Sequence, residues 1–143
     1  MVNKLDFGSG YNPRPGYKTC DNILTPNIDY YYNGVAIVNA ADKSIDRIVL
    51  RNVIHHIPDF DVLAKEFKRI LTNRGTIWIV DCLPQHYMNN VILDYIYYRS
   101  VNSRPDIQIF DYFRDYLKTF GRYFKIRKIF TKEEKQWTIL SNS

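Results

Sequence analysis

The run Lys4-Leu5-Asp6-Phe7-Gly8-Ser9-Gly10 constrains this chain more than any other. A short apolar segment ends beside an acid and then meets two glycines one residue apart. Glycine lacks the Cβ that would block a closely approaching group, and it reaches positive φ without strain. A buried strand ending in such a turn suits an open α/β sheet, where ligands bind beyond the carboxyl ends of the strands. A P-loop is excluded, since no Gly-Lys-Ser/Thr follows, and the dinucleotide pattern G-x-G-x-x-G also fails. Counted from Gly8, the third glycine's place is held by Pro13, which offers no backbone N–H.

A chain of 143 residues, 45% hydrophobic, is expected to form one domain with its own core. Cys20 and Cys82 sit inside apolar runs without framework spacing, which points to a reducing, cytoplasmic setting. No signal peptide is expected, and no apolar run approaches a membrane span. The net charge of +5 gathers late, in Arg114, Lys118, Arg122, Lys125, Arg127, Lys128, Lys132 and Lys135. Such a cluster can attract a phosphate backbone. The favoured reading is plainer, a solvated helix face and a charged edge strand, because no nucleic-acid motif interleaves the charges.

After Gly10 the prolines Pro13 and Pro15 exclude a helix interior, so the first crossover is a loop or a very short helix. Tyr17–Cys20 reads as a second strand followed by Asp21. An acid at this place in an α/β unit commonly accepts from both hydroxyls of a ribose. A turn-initiating Asp before Asn22 is the alternative, and the order after the first turn favours the ribose. Residues 22–34 show no helical period and read as an irregular connection carrying Tyr30, Tyr31 and Tyr32. Val35–Val38 reads as a third strand ending at Asn39-Ala40-Ala41, and Ile45–Leu50 as a buried fourth.

Arg51-Asn52-Val53-Ile54-His55-His56-Ile57-Pro58 follows, with Asp59 and Asp61 close behind. Adjacent histidines point apart and lack a metal-ligand spacing, so no metal is expected. Asp59 or Asp61 suits a helix cap. A helix is predicted over about Phe60–Leu71, stopped by Asn73-Arg74-Gly75, then a strand over Thr76–Leu83. Helices are predicted near His86–Ser100 and Phe110–Phe120. The chain closes on a hairpin, Phe124–Phe130 and Gln136–Leu140, around Lys132–Lys135. The fold class is therefore α/β, a mostly parallel sheet with an antiparallel strand.

Laid out this way, the chain resembles the class I S-adenosylmethionine-dependent methyltransferases, and most of all their small type 11 group. Leu5-Asp6-Phe7-Gly8-Ser9-Gly10, continued by Tyr11-Asn12-Pro13-Arg14-Pro15-Gly16-Tyr17, resembles the first motif. Asp21 resembles the ribose-binding acid. Ser44–Leu50 followed by Asn52–Ile57 is similar to the family's "S-F-D-x-V … H-V-L-E-H-I" segment, and Phe67–Ile77 to its "R-V-L-K-P-G-G" turn. The motifs cover residues 4 to about 83.

The resemblance implies a Rossmann-like doubly wound sheet of seven strands, in the order 3-2-1-4-5-7-6, ending in a C-terminal antiparallel hairpin. It implies S-adenosylmethionine as cofactor, with Gly8, Ser9 and Gly10 beneath its methionine and ribose, Asp6 near its amino group and Asp21 on the ribose. Asn39 would accept from the adenine amine, where relatives often have Asp, and Ala40 would offer a backbone N–H. Arg51 and Asn52 would border the methyl-donor end and the acceptor. A general base, if the acceptor needs one, would be His55 or His56, with Asp81 third; for His56 a structural role is favoured. The acceptor is expected to be a small molecule or RNA. The chain is expected to be a minimal core without an N-terminal lid, which a protein partner or a second copy would supply. The alternatives are a non-catalytic binding or scaffolding subunit and, against Pro13, a nucleotide-dependent reductase.

Overall fold

The computed structural model describes residues 2–9, 14–22, 28–83 and 116–142. The strands are β1 Lys4–Phe7, β2 Lys18–Asp21, β3 Tyr30–Tyr31, β4 Ile45–Arg51, β5 Leu71–Cys82, β6 Lys125–Lys132 and β7 Lys135–Ser141. The helices described are α1 Phe60–Ile70 and α2 Tyr116–Phe120. One sheet holds all seven strands in the order β3-β2-β1-β4-β5-β7-β6. β1 pairs in parallel with β2 and β4, β2 with β3 and β4 with β5, while β7 runs antiparallel to both β5 and β6. This is the Rossmann-like α/β sheet expected, with its C-terminal hairpin.

Alternation along the strands decides which side each residue takes. Leu5, Phe7, Ile48, Leu50, Ile77, Ile79 and Leu140 turn one way and join Leu63, Phe67 and Ile70 of α1 in the core. The Phe7 and Phe67 rings meet edge to face at 5.2 Å. Leu63, Phe67 and Ile70 are fully buried, each contributing about 1.5–3 kcal/mol. Asp59 caps α1, its side chain accepting from Asp61 N at 3.0 Å and Val62 N at 3.3 Å. Such a cap is worth about 1 kcal/mol.

Two boundaries differ from expectation. The third strand is Tyr30–Tyr31, inside the stretch read as irregular, and Val35–Val38 is not in a named strand. The chain turns back at Asn33-Gly34, where Asn33 Oδ1 accepts from Val35 N and Ala36 N. It then runs antiparallel along the outer side of β3, with Tyr32 bridged to Ile37 and Val38 N donating to Tyr31 O. Secondly, Asn73-Arg74-Gly75 does not form a separate loop. Leu71 leaves α1 with φ −74° and ψ 138°, and β5 begins there. An irregular register between Ile45 and Arg47 of β4 absorbs those residues. The helix predicted near His86–Ser100, and that near Phe110–Phe120 before Tyr116, lie outside the described residues.

Candidate functional site

The strand order reverses between β1 and β4, so the crevice expected to receive a ligand opens above their carboxyl ends. Gly8 leaves β1 with φ +74°, a conformation glycine adopts without strain. Gly8 N and Ser9 N both donate to Cys20 O, at 2.8 and 3.0 Å, and Ser9 Oγ reaches the same carbonyl at 3.3 Å. The turn is thereby drawn against the end of β2, beside Asp21. Asp21 is half-buried, and its Oδ1 accepts from Asn22 N at 2.7 Å. A carboxylate has acceptor capacity well beyond one such bond. Gly10 lies outside the described residues.

Asp6 is 1% exposed, and its Oδ2 accepts from Arg14 N at 2.7 Å and from Arg51 Nη2 at 2.9 Å. Arg51 is thus set on the same face as Asp6, one strand over. Asn52 follows in the left-handed region with φ 57°, its N donating to Val80 O at 2.8 Å. Its Oδ1 accepts from Lys135 Nζ at 3.0 Å. His56 is half-buried in a single 3₁₀ turn over Ile54–His56, its backbone N donating to Val53 O at 2.8 Å. The His55 side chain lies outside the described part. Asp81 is buried near the end of β5, on the α1 side with Ile77 and Ile79.

Asn39 and Ala40 follow the reversal at Asn33-Gly34, which carries them back along the outer edge of β3, the strand that pairs with β2 at Asp21. Asn39 Oδ1 accepts from Tyr31 N at 3.1 Å, and its Nδ2 donates to Asp29 O at 2.7 Å. Ala40 N donates to Ile37 O at 3.1 Å. The polar groups assigned to adenine are therefore engaged in holding β3. Arg69 anchors this segment through Ala40 O at 2.9 Å and Ile37 O at 3.2 Å, and buried Glu66 accepts from Ile37 N. Residues the sequence did not single out also shape the site. Val53 packs on Gly8, and Lys135 reaches the site because the antiparallel β7 begins level with the end of β5. No local signal marks either one.

Among the described residues, no cluster of three or more His, Cys, Asp or Glu is placed to hold a metal ion. No described helix is long and apolar enough to cross a membrane.

The fold is that of the class I S-adenosylmethionine-dependent methyltransferases. A protein from Sulfolobus solfataricus assigned to the type 11 methyltransferases is 17% identical, with a TM-score of 0.64 over 99% of this chain and 84% of that one. A SAM-dependent methyltransferase from Methanosarcina mazei is 13% identical, with a TM-score of 0.63 over 98% and 92%. The methyltransferase CalH, solved with S-adenosylhomocysteine, is 14% identical, with a TM-score of 0.63 over 99% and 51%. The family model described as a methyltransferase domain, of type 11, matches residues 17–79, under half of the chain. The matched segment is similar to methyltransferase domains of type 11, and these solved structures share the fold. No protein of curated function matches the sequence.

Proposed function

We propose that this chain transfers a methyl group from S-adenosylmethionine to an acceptor, using the crevice above β1, β2 and β4. The observation that carries the reading is the convergence at this switch point of the Gly8 turn, Asp21 and the Asp6–Arg51 pair. The donor set fits the cofactor chemically. Asp21 would accept from the ribose hydroxyls, and the turn of Gly8 and Ser9 would lie against the ribose and methionine. A carboxylate beside a guanidinium complements an α-amino carboxylate, which supports Asp6 and Arg51 at the methionine end. Asn39 and Ala40 hold the outer edge of β3 in this reading and do not touch adenine.

When bound, the sulfonium supplies an activated methyl group and an excellent leaving group. What remains for the protein is alignment in a site poor in water. Asn52, fixed in its left-handed conformation by Val80 and Lys135, borders the acceptor's approach. His56 serves first to hold the turn that leads into α1, and is the base candidate where an acceptor must lose a proton early.

Calorimetric titration with S-adenosylhomocysteine tests the cofactor site, with Asp21→Ala and NAD as controls. Micromolar binding, on the order of −8 kcal/mol, lost in the variant and absent for NAD, is the expected result. No binding to the folded protein overturns the reading. Binding without turnover on any acceptor makes the chain a binding subunit instead.

A further inference from the structure

Lys135 is the first residue of β7 and pairs with Cys82 at the end of β5. Residues opposite one another in a sheet share a side, so Lys135 takes the side of Cys82, opposite to that of Asp81. Arg51 pairs with Val80 and Asp6 with Val49, which sets this acid and its guanidinium on the same side, away from α1. β7 lies two strands from β4, about 10 Å at the usual spacing, yet Lys135 Nζ donates to Asn52 Oδ1 at 3.0 Å. The lysine stem therefore lies across the end of β5, at the carboxyl rim of the sheet. The face below is closed, with Val49 1% and Val80 7% exposed. At the rim, Asn52 is exposed and Lys135 half-buried.

The ammonium has three N–H donors, and Asn52 takes one of them. Because Lys135 can only donate, it holds the amide by its oxygen and leaves Nδ2 as a further donor. Asn52 is itself fixed, with φ 57° and its N donating to Val80 O at 2.8 Å. Among the described residues, no carboxylate pairs with Lys135 and no acceptor meets Asn52 Nδ2. The neighbouring charges are placed otherwise. Asp6 pairs with Arg51 at 2.9 Å, Asp81 is turned to the α1 side, and Lys132 lies over the Trp137 ring at 5.9 Å. Glu133 and Glu134 form the two-residue turn before Lys135 and are exposed, with φ 53° and 61°. The rim thus presents a cation and an amide whose side chains are partnered, among the described residues, by each other.

On the methyl-transfer reading of the crevice, on which this assignment rests, we propose that the acceptor is a small molecule carrying one anionic oxygen group. Lys135 Nζ and Asn52 Nδ2 bind that carboxylate or phosphate at the rim. Such a group only accepts hydrogen bonds, and these two side chains have only donors left to give. A bond between an ammonium and an oxyanion is stronger than one to a neutral amide. A neutral acceptor entering here would cover the ammonium without compensating its charge. One cation suits one anionic group, whereas a nucleic-acid backbone is held by a track of cations. Held beyond the end of β5, the acceptor has its remaining length free to reach the methyl-donor end beside Arg51.

The test is NMR of the full chain, following the Asn52 side-chain amide signal with and without saturating S-adenosylhomocysteine. The probes are sodium acetate and inorganic phosphate at constant ionic strength, with acetamide as the neutral match to acetate. A saturable shift with one or both anions is expected, and none with acetamide; the anion that binds more tightly identifies the head group. Lys135→Met is expected to weaken that binding about tenfold or more, and Lys135→Arg, which keeps the charge, less than about threefold. Lys125→Met makes the same change at the far end of the hairpin and is expected to leave binding unaltered. The proposal is overturned if the shifts do not saturate, if acetamide matches acetate, or if Lys135→Met and Lys125→Met behave alike. Circular dichroism checks that each variant folds, and S-adenosylhomocysteine titration reads the cofactor site separately. Cofactor binding with no saturable anion shift overturns this proposal alone. An anion shift with no cofactor binding overturns the methyl-transfer reading, and the acceptor assignment with it.

Discussion

Val53 occupies the space that a side chain on Gly8 would need: a Cβ built at position 8 lies 2.5 Å from Val53 Cγ2 and 3.0 Å from Cγ1. The glycine at the end of β1 is therefore required by two independent features, the neighbouring valine and the φ of +74°. Gly8→Ala is expected to destabilise the protein by about 2–4 kcal/mol, from left-handed backbone and overpacking together. Val53→Ala in the same chain should recover the steric part and leave the backbone part. Urea unfolding of the four members of the cycle measures this, and additive effects would disprove the contact.

Asn39 and Asp21 should separate stability from affinity. Asn39→Leu removes the hydrogen bonds to Tyr31 N and Asp29 O and is expected to cost about 1–3 kcal/mol, with little change in S-adenosylhomocysteine affinity. Asp21→Ala should do the opposite. Calorimetry paired with thermal unfolding reads both, and a large affinity loss in Asn39→Leu would restore the adenine role.

Arg69 ties α1 to the segment returning from β3, through Glu66, Asp42 and the carbonyls of Ile37 and Ala40. Glu66 is 6% exposed, so Arg69→Met strands a buried carboxylate. Because the arginine side chain is 35% exposed, the expected cost is nearer about 2–3 kcal/mol than the full penalty for a buried pair. Hydrogen exchange should show faster opening at Tyr31, Tyr32 and Val38 than in β4. Uniform loss of protection would argue against a local role.

Stability should fall in alkaline solution. Burial, with the carboxylates of Asp21, Asp6 and Glu66 adding to it, pushes the Cys20 thiol far up. Burial, then Glu66, pushes the Tyr32 hydroxyl up to about 12. The folded protein therefore keeps protons that the unfolded chain releases above about pH 9. Since the unfolded state then binds fewer protons, the free energy of unfolding falls as pH rises. Urea midpoints measured from pH 8 to pH 10.5 should decline, and Cys20→Ala with Tyr32→Phe should flatten the decline. A wild-type midpoint constant over that range would contradict the assignment.

Hydrophobic period in the sequence was enough for β1, β4, α1 and the closing hairpin, because each buries a face whose pattern repeats within the element. It misplaced the third strand for the same reason. Val35–Val38 has the apolar composition of a strand, yet Val35 and Val38 are 65% and 57% exposed. Tyr30–Tyr31 is too short to show a period and becomes a strand only by pairing with Cys20 and Asp21. Asn39 and Ala40 run back along the outer edge of that strand. The basic residues on β6 do lie on an edge strand, as read from composition. That some of them also stand over aromatic rings was not legible.

By itself, the sequence determined the turn at the end of β1, the acid that ends β2, the amphipathic α1 and the class of sheet these imply. Each rests on residues within a few positions of one another, whose backbone and burial preferences act locally. The tertiary structure alone decided which residues share the crevice and which share the opposite face. Val53 against Gly8, Lys135 against Asn52 and Lys4 level with Arg47 are all products of strand register. Register is set by the summed burial of a whole face, which no short stretch of sequence contains.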